Sequence, residues 1–200
     1  MLLPQPGPVS VADAYAGPHR RRRDDRPWVA LTMITSADGA IEVDGASAGL
    51  GSPGDRAVFL HMHRSADCVL VGAETVRRDV YSPLPAHQQL FVTSRSGDLG
   101  PGSVGLLAAA NTHVVSGEVR DIVRTLPGDV CSLEGGPTLN AQMLAADLVD
   151  EACITMSPRL VGGRSARMAV GDFAGTDAWR LAHVLEEDGF LFVRYLRDRA

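Results

Sequence analysis

The sequence predicts an α/β fold built on a mostly parallel sheet with an antiparallel edge. Three patterns carry that reading. Short apolar runs alternate with segments of helical spacing, Gly, Pro, Ser and Asp punctuate the junctions, and the last two apolar runs meet at Asp188-Gly189. Strands separated by helices need crossovers and lie parallel, whereas an Asp-Gly junction is hairpin chemistry and makes its strands antiparallel.

Taken in order, residues 1–25 are rich in Pro, Gly and Arg and read as a flexible N-terminal arm ahead of a single domain over 26–200. Within the arm, Arg20 to Arg23 run directly into Asp24 and Asp25, a solvated charge run that partly cancels itself. Trp28 to Thr35 is a strand, and Ser36 to Gly39 its turn. Ala40 to Val43 reads as a short second strand, followed by a loop over 44–51. Ser52 suits an N-cap, Pro53 the first helical position and Asp55 the first turn, so a helix runs to about Ser65. Asp67 to Gly72 is a buried strand, and Thr75 to Arg78 one helical turn. Strands follow at 89–94 and 112–116, with a helix at 117–125. Asp129 to Gly136 is a strand that ends in glycines, and Pro137 opens a helix to Leu148 whose apolar residues recur at helical spacing. A strand at 150–158 and the hairpin strands at 179–187 and 190–197 complete the chain.

Composition excludes several classes. With 19 basic and 24 acidic residues the net charge is −5, which argues against nucleic acid as the main partner. No apolar stretch approaches the roughly 18 residues of a membrane span. The opening MLLPQPGPVS lacks the basic segment and apolar run of a secretory signal. Cys68, Cys131 and Cys153 sit in apolar strand-like runs and read as buried free thiols, as in a reducing cytoplasm. No cysteine lies near His61 and His63, so no metal site is expected.

Gly49-Leu50-Gly51-Ser52-Pro53-Gly54 matches GxGxxG, and Glu74 follows about 20 residues on, as in a dinucleotide fingerprint. The preceding VDGASA is polar where that fingerprint follows a buried strand, and Pro53 marks a plain helix start, so the match is set aside. Glu134-Gly135-Gly136-Pro137-Thr138-Leu139 is the stronger signal. It joins a buried strand to an amphipathic helix, lets the backbone approach a ligand, and presents helix N–H groups suited to a pyrophosphate. A tight strand-to-helix turn with a solvated Glu134 is the competing reading.

EGGPTLNAQMLAADLVDEACITMSPRLVGG (134–163), TSADGAI (35–41), SPGDR (52–56) and ADCVLVGAETVRRD (66–79) resemble, in order, motifs of one family. It is the reductase domain of the bifunctional riboflavin-biosynthesis deaminase–reductase. The resemblance implies a three-layer dihydrofolate-reductase-like fold, NADPH as cofactor and a homodimer. The sequence has no HxE…PCxxC arrangement of a zinc deaminase, so reduction alone is expected. Carried over by position, the cofactor contacts are Thr35, Thr75, Asp79, Ser94 and the turn and helix start from Gly135 and Gly136 through Pro137, Thr138 and Leu139. Ser47 and Glu134 match substrate contacts. Departures cluster at the substrate. His63 stands where the family often has a phosphate-binding Arg, and Thr32 where many members have Lys. Gly49 replaces a frequent Trp, and Val80-Tyr81-Ser82-Pro83 replaces an Asp-Pro or Asn-Pro pair. Losing an Arg and a Lys weakens the case for a phosphorylated substrate.

The expected chemistry is hydride transfer from NADPH to a C=N or C=O carbon of a small pyrimidine-like metabolite. The resemblance implies 5-amino-6-(5-phosphoribosylamino)uracil reductase-like activity. Asp38 and Glu134 are the candidate catalytic groups, and Ser47, His63 and Glu134 the candidate substrate contacts. Asp38 also reads as a turn residue that bonds its own backbone, and Ser47 as a plain loop serine. Thr93 to Ser96 lie past the end of a buried strand, where Ser94 and Arg95 would grip a 2′-phosphate or simply face water. A dihydrofolate or pterin reductase, and a catalytically silent NADPH-binding protein, are the alternatives.

Overall fold

The computed structural model describes residues 7–17, 19–79, 81–172 and 178–198. In chain order its elements are α1 (Val11–Ala14), β1 (Trp28–Ser36), α2 (Pro53–Arg64), β2 (Cys68–Gly72), α3 (Ala73–Arg78), β3 (Gln89–Thr93) and α4 (Val104–Leu107). They continue with β4 (Thr112–Val115), α5 (Val119–Thr125), β5 (Val130–Leu133), α6 (Pro137–Ala145), β6 (Glu151–Ser157), β7 (Arg180–Glu187) and β8 (Phe190–Leu196). The strands form a sheet in the order β4-β3-β2-β5-β1-β6-β8-β7. The strands from β4 to β6 pair in parallel, and β8 runs antiparallel to β6 and β7.

Alternation along the strands builds the layers. Val29 and Leu31 of β1, Cys68 and Leu70 of β2, and Cys131 and Leu133 of β5 pack with Ile122 and Val123 of α5 and Leu139 and Met143 of α6. The intervening residues face the other way. Val69 and Val71 meet Val76 of α3 and Leu106 of α4. Trp28 and Ala30 meet Val58 and Met62 of α2. The sheet therefore lies between two helical layers, as expected. Leu70 has no exposed surface, and truncating it to Ala would cost about 2–5 kcal/mol. Local signals also hold: the Ser52 hydroxyl accepts from the Asp55 N–H at 3.0 Å, and Pro53 opens α2.

Two expectations need correction. Ala40 to Val43 is not a strand; Val43 makes only an isolated bridge to Ala46, because Asp44 and Gly45 at positive φ turn the chain back at once. The N-terminal arm is not loosely packed over its described part. Ser10 caps α1, Tyr15 is buried against Trp28, Val58 and Met62, and Arg20 is buried on Glu151. Arg20 donates to Glu151 at 2.7 and 2.6 Å, Arg194 Nε at 2.8 Å and Trp28 Nε1 at 3.1 Å. Arg23 and Arg26 reach Asp150. The basic run is thus partly buried, because it neutralises two buried carboxylates at the start of β6. Residues 1–6 lie outside the described residues.

Candidate active site

A cleft of about 1790 Å³ opens across the carboxyl ends of β1, β2, β3 and β5. Open α/β sheets bind ligands at these ends. Small-molecule pockets typically measure roughly 300–1,000 Å³, so this one has room for two ligands side by side.

One pole is the glycine turn after β5. The Gly72 N–H donates to the Gly135 carbonyl at 2.6 Å, which ties the turn to the end of β2. Gly135 has φ +89°, and the Gly135–Gly136 peptide is cis. A Cβ on Gly136 would lie 2.9 Å from Thr75 Oγ1, and one on Gly72 would lie 3.1 Å from the Gly136 nitrogen. Only bare backbone fits here. Gly136 caps α6 without any side-chain hydrogen bond, and Pro137 takes the first turn. Gly135, Gly136, Pro137, Thr138 and Leu139 all line the cleft. An uncapped helix start opening on a cleft is a place for a phosphate.

Thr75, Asp79, Ser94 and Arg95 line the same region. The Asp79 N–H donates to the Thr75 carbonyl at 2.8 Å. Burial raises the Asp79 carboxyl above its ordinary range, against the opposing effect of Arg78. Ser94 is buried and its hydroxyl accepts from the Gly97 N–H at 3.0 Å, while Arg95 is exposed beside it.

The other pole is the Glu134 side chain, 2% exposed. Ser132 and Glu134 share one face of the chain as β5 ends, two residues apart. His63 comes from the last turn of α2 and Tyr81 from the segment after α3. His63 Nδ1 lies 2.7 Å from Glu134 Oε1, Ser132 Oγ donates to the same oxygen at 3.0 Å, and Tyr81 Oη donates to Oε2 at 2.9 Å. Burial, and then the Glu134 charge, pushes the Tyr81 hydroxyl well above its ordinary range and keeps it a donor. The solvated alternative for Glu134 is therefore excluded. Thr32 also lines the cleft, and its Oγ1 is buried without a hydrogen-bond partner. Ser47 lines the cleft at the start of a 3-10 turn over Ser47–Leu50.

Two predicted residues stand elsewhere. Asp38 is exposed and does not line the cleft. Its carboxylate accepts from Ser36 Oγ and from the N–H groups of Val161 and Gly162, which hold its pKa down to about 2. It ties the β1 turn to the loop after β6, so the turn reading wins. Thr35 is buried opposite Met156 of β6, while Thr32, Met33 and Ile34 provide the cleft-facing part of β1. The GxGxxG match also dissolves: Gly49 lies in the 3-10 turn, and a Cβ on Gly54 would collide with Glu187 and Phe192. Thr32 and Tyr81 stood in the sequence only as substrate-side departures from the family, with no contact assigned to them, and Ser132 was not among the candidates. Ser132 had a signal, the period of 2 ending at Glu134. Tyr81 lies in an irregular segment with no period to place it.

The description RibD C-terminal domain matches residues 27–188. A 2,5-diamino-6-ribosylamino-4(3H)-pyrimidinone 5′-phosphate reductase from Methanothermobacter thermautotrophicus is 28% identical over 188 residues, covering 76% of this chain and 87% of that protein. The riboflavin biosynthesis protein RibD of Mycobacterium tuberculosis is 33% identical over 172 residues, covering 78% of this chain; the match spans 50% of that longer protein. A pyrimidine reductase-like protein from Corynebacterium diphtheriae superposes with a TM-score of 0.76 at 21% identity, over 96% of this chain and all of that one (100%). Dihydrofolate reductase from Enterococcus faecalis, complexed with NADP(H), superposes with a TM-score of 0.61 at 16% identity, over 86% of this chain and 97% of that one. The fold is thus dihydrofolate-reductase-like, and the chain belongs to the RibD C-terminal domain family.

Proposed function

We propose that this chain is an NADPH-dependent reductase of a small pyrimidine-like metabolite. One observation carries the reading: a single cleft joins an uncapped helix start behind a glycine turn to a buried carboxylate ringed by an imidazole and two hydroxyls. The first pole fits a dinucleotide. Gly135 and Gly136 let the pyrophosphate approach the backbone, and the first-turn N–H groups of α6 would hold it. Arg95 beside Ser94 suits a 2′-phosphate. When bound, the nicotinamide supplies the hydride. The protein contributes alignment of the two reacting carbons and exclusion of water. Glu134, His63 and Tyr81 orient the acceptor.

The relatives' names point to 5-amino-6-(5-phosphoribosylamino)uracil or its diamino counterpart as the acceptor. Thr32 and His63, in place of cations, favour an acceptor without a phosphate at that pole, which keeps a pterin or dihydrofolate in view. An NADPH-consumption screen over riboflavin-pathway pyrimidines, their dephosphorylated forms, pterins and dihydrofolate tests the reading. Consumption with a pyrimidine supports it. Activity with dihydrofolate alone replaces it, and binding of NADPH without turnover of any acceptor makes the chain a silent binder.

The same reading includes a cytoplasmic homodimer. Among the described residues, no helix is long and apolar enough to cross a membrane. The apolar stretch Ala152-Cys153-Ile154 lies between β1 and β8 inside the sheet and is not a free edge, so the dimer rests on family membership. Light scattering at micromolar concentration should give twice the chain mass, and a monomer mass would refute it.

A further inference from the structure

We propose that His63, held by Glu134, donates the proton that completes the reduction. This rests on the reductase reading above. His63 bridges two environments. Its Nδ1 is 2.7 Å from Glu134 Oε1, and its ring lines the cleft. Glu134 already receives the Ser132 and Tyr81 hydroxyls, one on each oxygen. An ionised carboxylate only accepts hydrogen bonds. With both Glu134 oxygens already accepting, the Nδ1–Oε1 contact is best made as an N–H donated by His63, which leaves Nε2 as the ring nitrogen turned to the cleft. Among the described residues no hydrogen bond engages Nε2, and it is not among the buried polar atoms left without a partner. A carboxylate that fixes the tautomer of an imidazole, with the far nitrogen open to a cleft, is an acid–base device.

The ring is also held in place. Phe59, one turn earlier on α2, contacts it at 5.6 Å between centroids. Gln88 Nε2 donates to the His63 and Ala66 carbonyls and pins the end of the helix. Besides His63, the titratable groups that interact with Glu134 are Tyr81 from the segment after α3 and the buried Cys131 of β5, and Asp79 acts in turn on Tyr81.

The step balances. With NADPH bound, its hydride and two electrons would go to the carbon of a C=N or C=O bond, leaving the oxidised cofactor. The π pair moves to the nitrogen or oxygen. That atom takes the Nε2 proton of the imidazolium, leaving neutral His63 with its Nδ1 proton on Glu134. Water then reprotonates Nε2.

Two measurements decide. In ¹⁵N-histidine NMR of the full chain without ligand, neutral His63 should carry its proton on Nδ1; a proton on Nε2 instead overturns the proposal whatever the acceptor. For any acceptor the wild type reduces, His63→Asn keeps an N–H toward Glu134 but removes Nε2. Its kcat should fall roughly 100- to 10,000-fold, the range for general acid–base catalysis, with the NADPH dissociation constant unchanged. Free imidazole should restore part of the rate in His63→Gly. A wild-type rate in His63→Asn overturns the proton donor while leaving the reductase reading intact. A wild type inert toward every acceptor overturns the reductase reading itself.

Discussion

Gly136 stands so close to Thr75 that a Cβ added to it would lie 2.9 Å from the Thr75 hydroxyl oxygen. The glycine turn and the start of α3 thus form one surface, with the α6 N-terminus opening between them. Gly136→Asp adds both that clash and a carboxylate where a phosphate would rest. We expect fluorescence titration to show NADPH binding weakened by at least about 100-fold, or ~2.7 kcal/mol; the clash should lower the melting temperature, with circular dichroism at the assay temperature still showing a folded chain. Unchanged affinity would make the turn purely structural.

Arg95 should set the preference for NADPH over NADH. Its guanidinium is exposed at the end of β3, whereas the Ser94 hydroxyl oxygen already accepts from Gly97. Arg95→Ala should weaken NADPH by about 1.5–3 kcal/mol, the range for hydrogen bonds to charged groups, and leave NADH unchanged. Ser94→Ala should matter less. Isothermal titration with both cofactors checks this, and equal NADPH affinity in Arg95→Ala and wild type would place the 2′-phosphate elsewhere.

Asp38 should matter to its loop and little to catalysis. Asp38→Ala releases Val161 and Gly162. Hydrogen exchange at those amides should rise, while kcat stays within about threefold, far from the 100-fold or more of a lost acid or base. The tie depends on an ionised carboxylate with a folded pKa of about 2 against an ordinary 3.8, so it is complete above pH 3.8 and fades as pH falls toward 2. A kcat collapse at normal KM would return Asp38 to the chemistry.

The Glu151 cluster should dominate acid sensitivity. Burial pushes its carboxyl up, but the Arg20 and Arg194 guanidinium groups outweigh burial and bring it down to about 2 from an ordinary 4.5. A depressed folded pKa gives stability that is fully present above the unfolded value and lost as pH falls through the folded one. Denaturant midpoints should therefore decline between pH 4.5 and 2. Arg20→Met leaves a buried carboxylate less compensated and should cost about 3–5 kcal/mol at pH 7. A loss under about 1 kcal/mol would mean that Arg194 and Trp28 suffice to hold the Glu151 carboxylate without Arg20.

Period and punctuation made most of the sheet legible. Val69, Val71, Leu90 and Val92 alternate with residues of the opposite face, and Ser52-Pro53 and Asp188-Gly189 mark a helix start and a hairpin. The burial of the arm was not legible because Arg20 meets Glu151, and Tyr15 meets His183 as well as Trp28, Val58 and Met62, through tertiary contacts that no local pattern encodes. Val43 failed as a strand because β propensity yielded to the turn at Asp44-Gly45. At the site, the glycine turn was visible because strand, glycines and helix are contiguous. The ring around Glu134 joins residues 63, 81, 132 and 134, and Tyr81 enters it from an irregular segment.

The most direct test of the account is the rate of NADPH oxidation by the wild-type protein across the pyrimidine panel, with Gly136→Asp as control. Acceptor-dependent oxidation with at least one pyrimidine is expected, and its loss in the variant. Tight NADPH binding with no acceptor-dependent oxidation, or turnover that survives in Gly136→Asp, would contradict it.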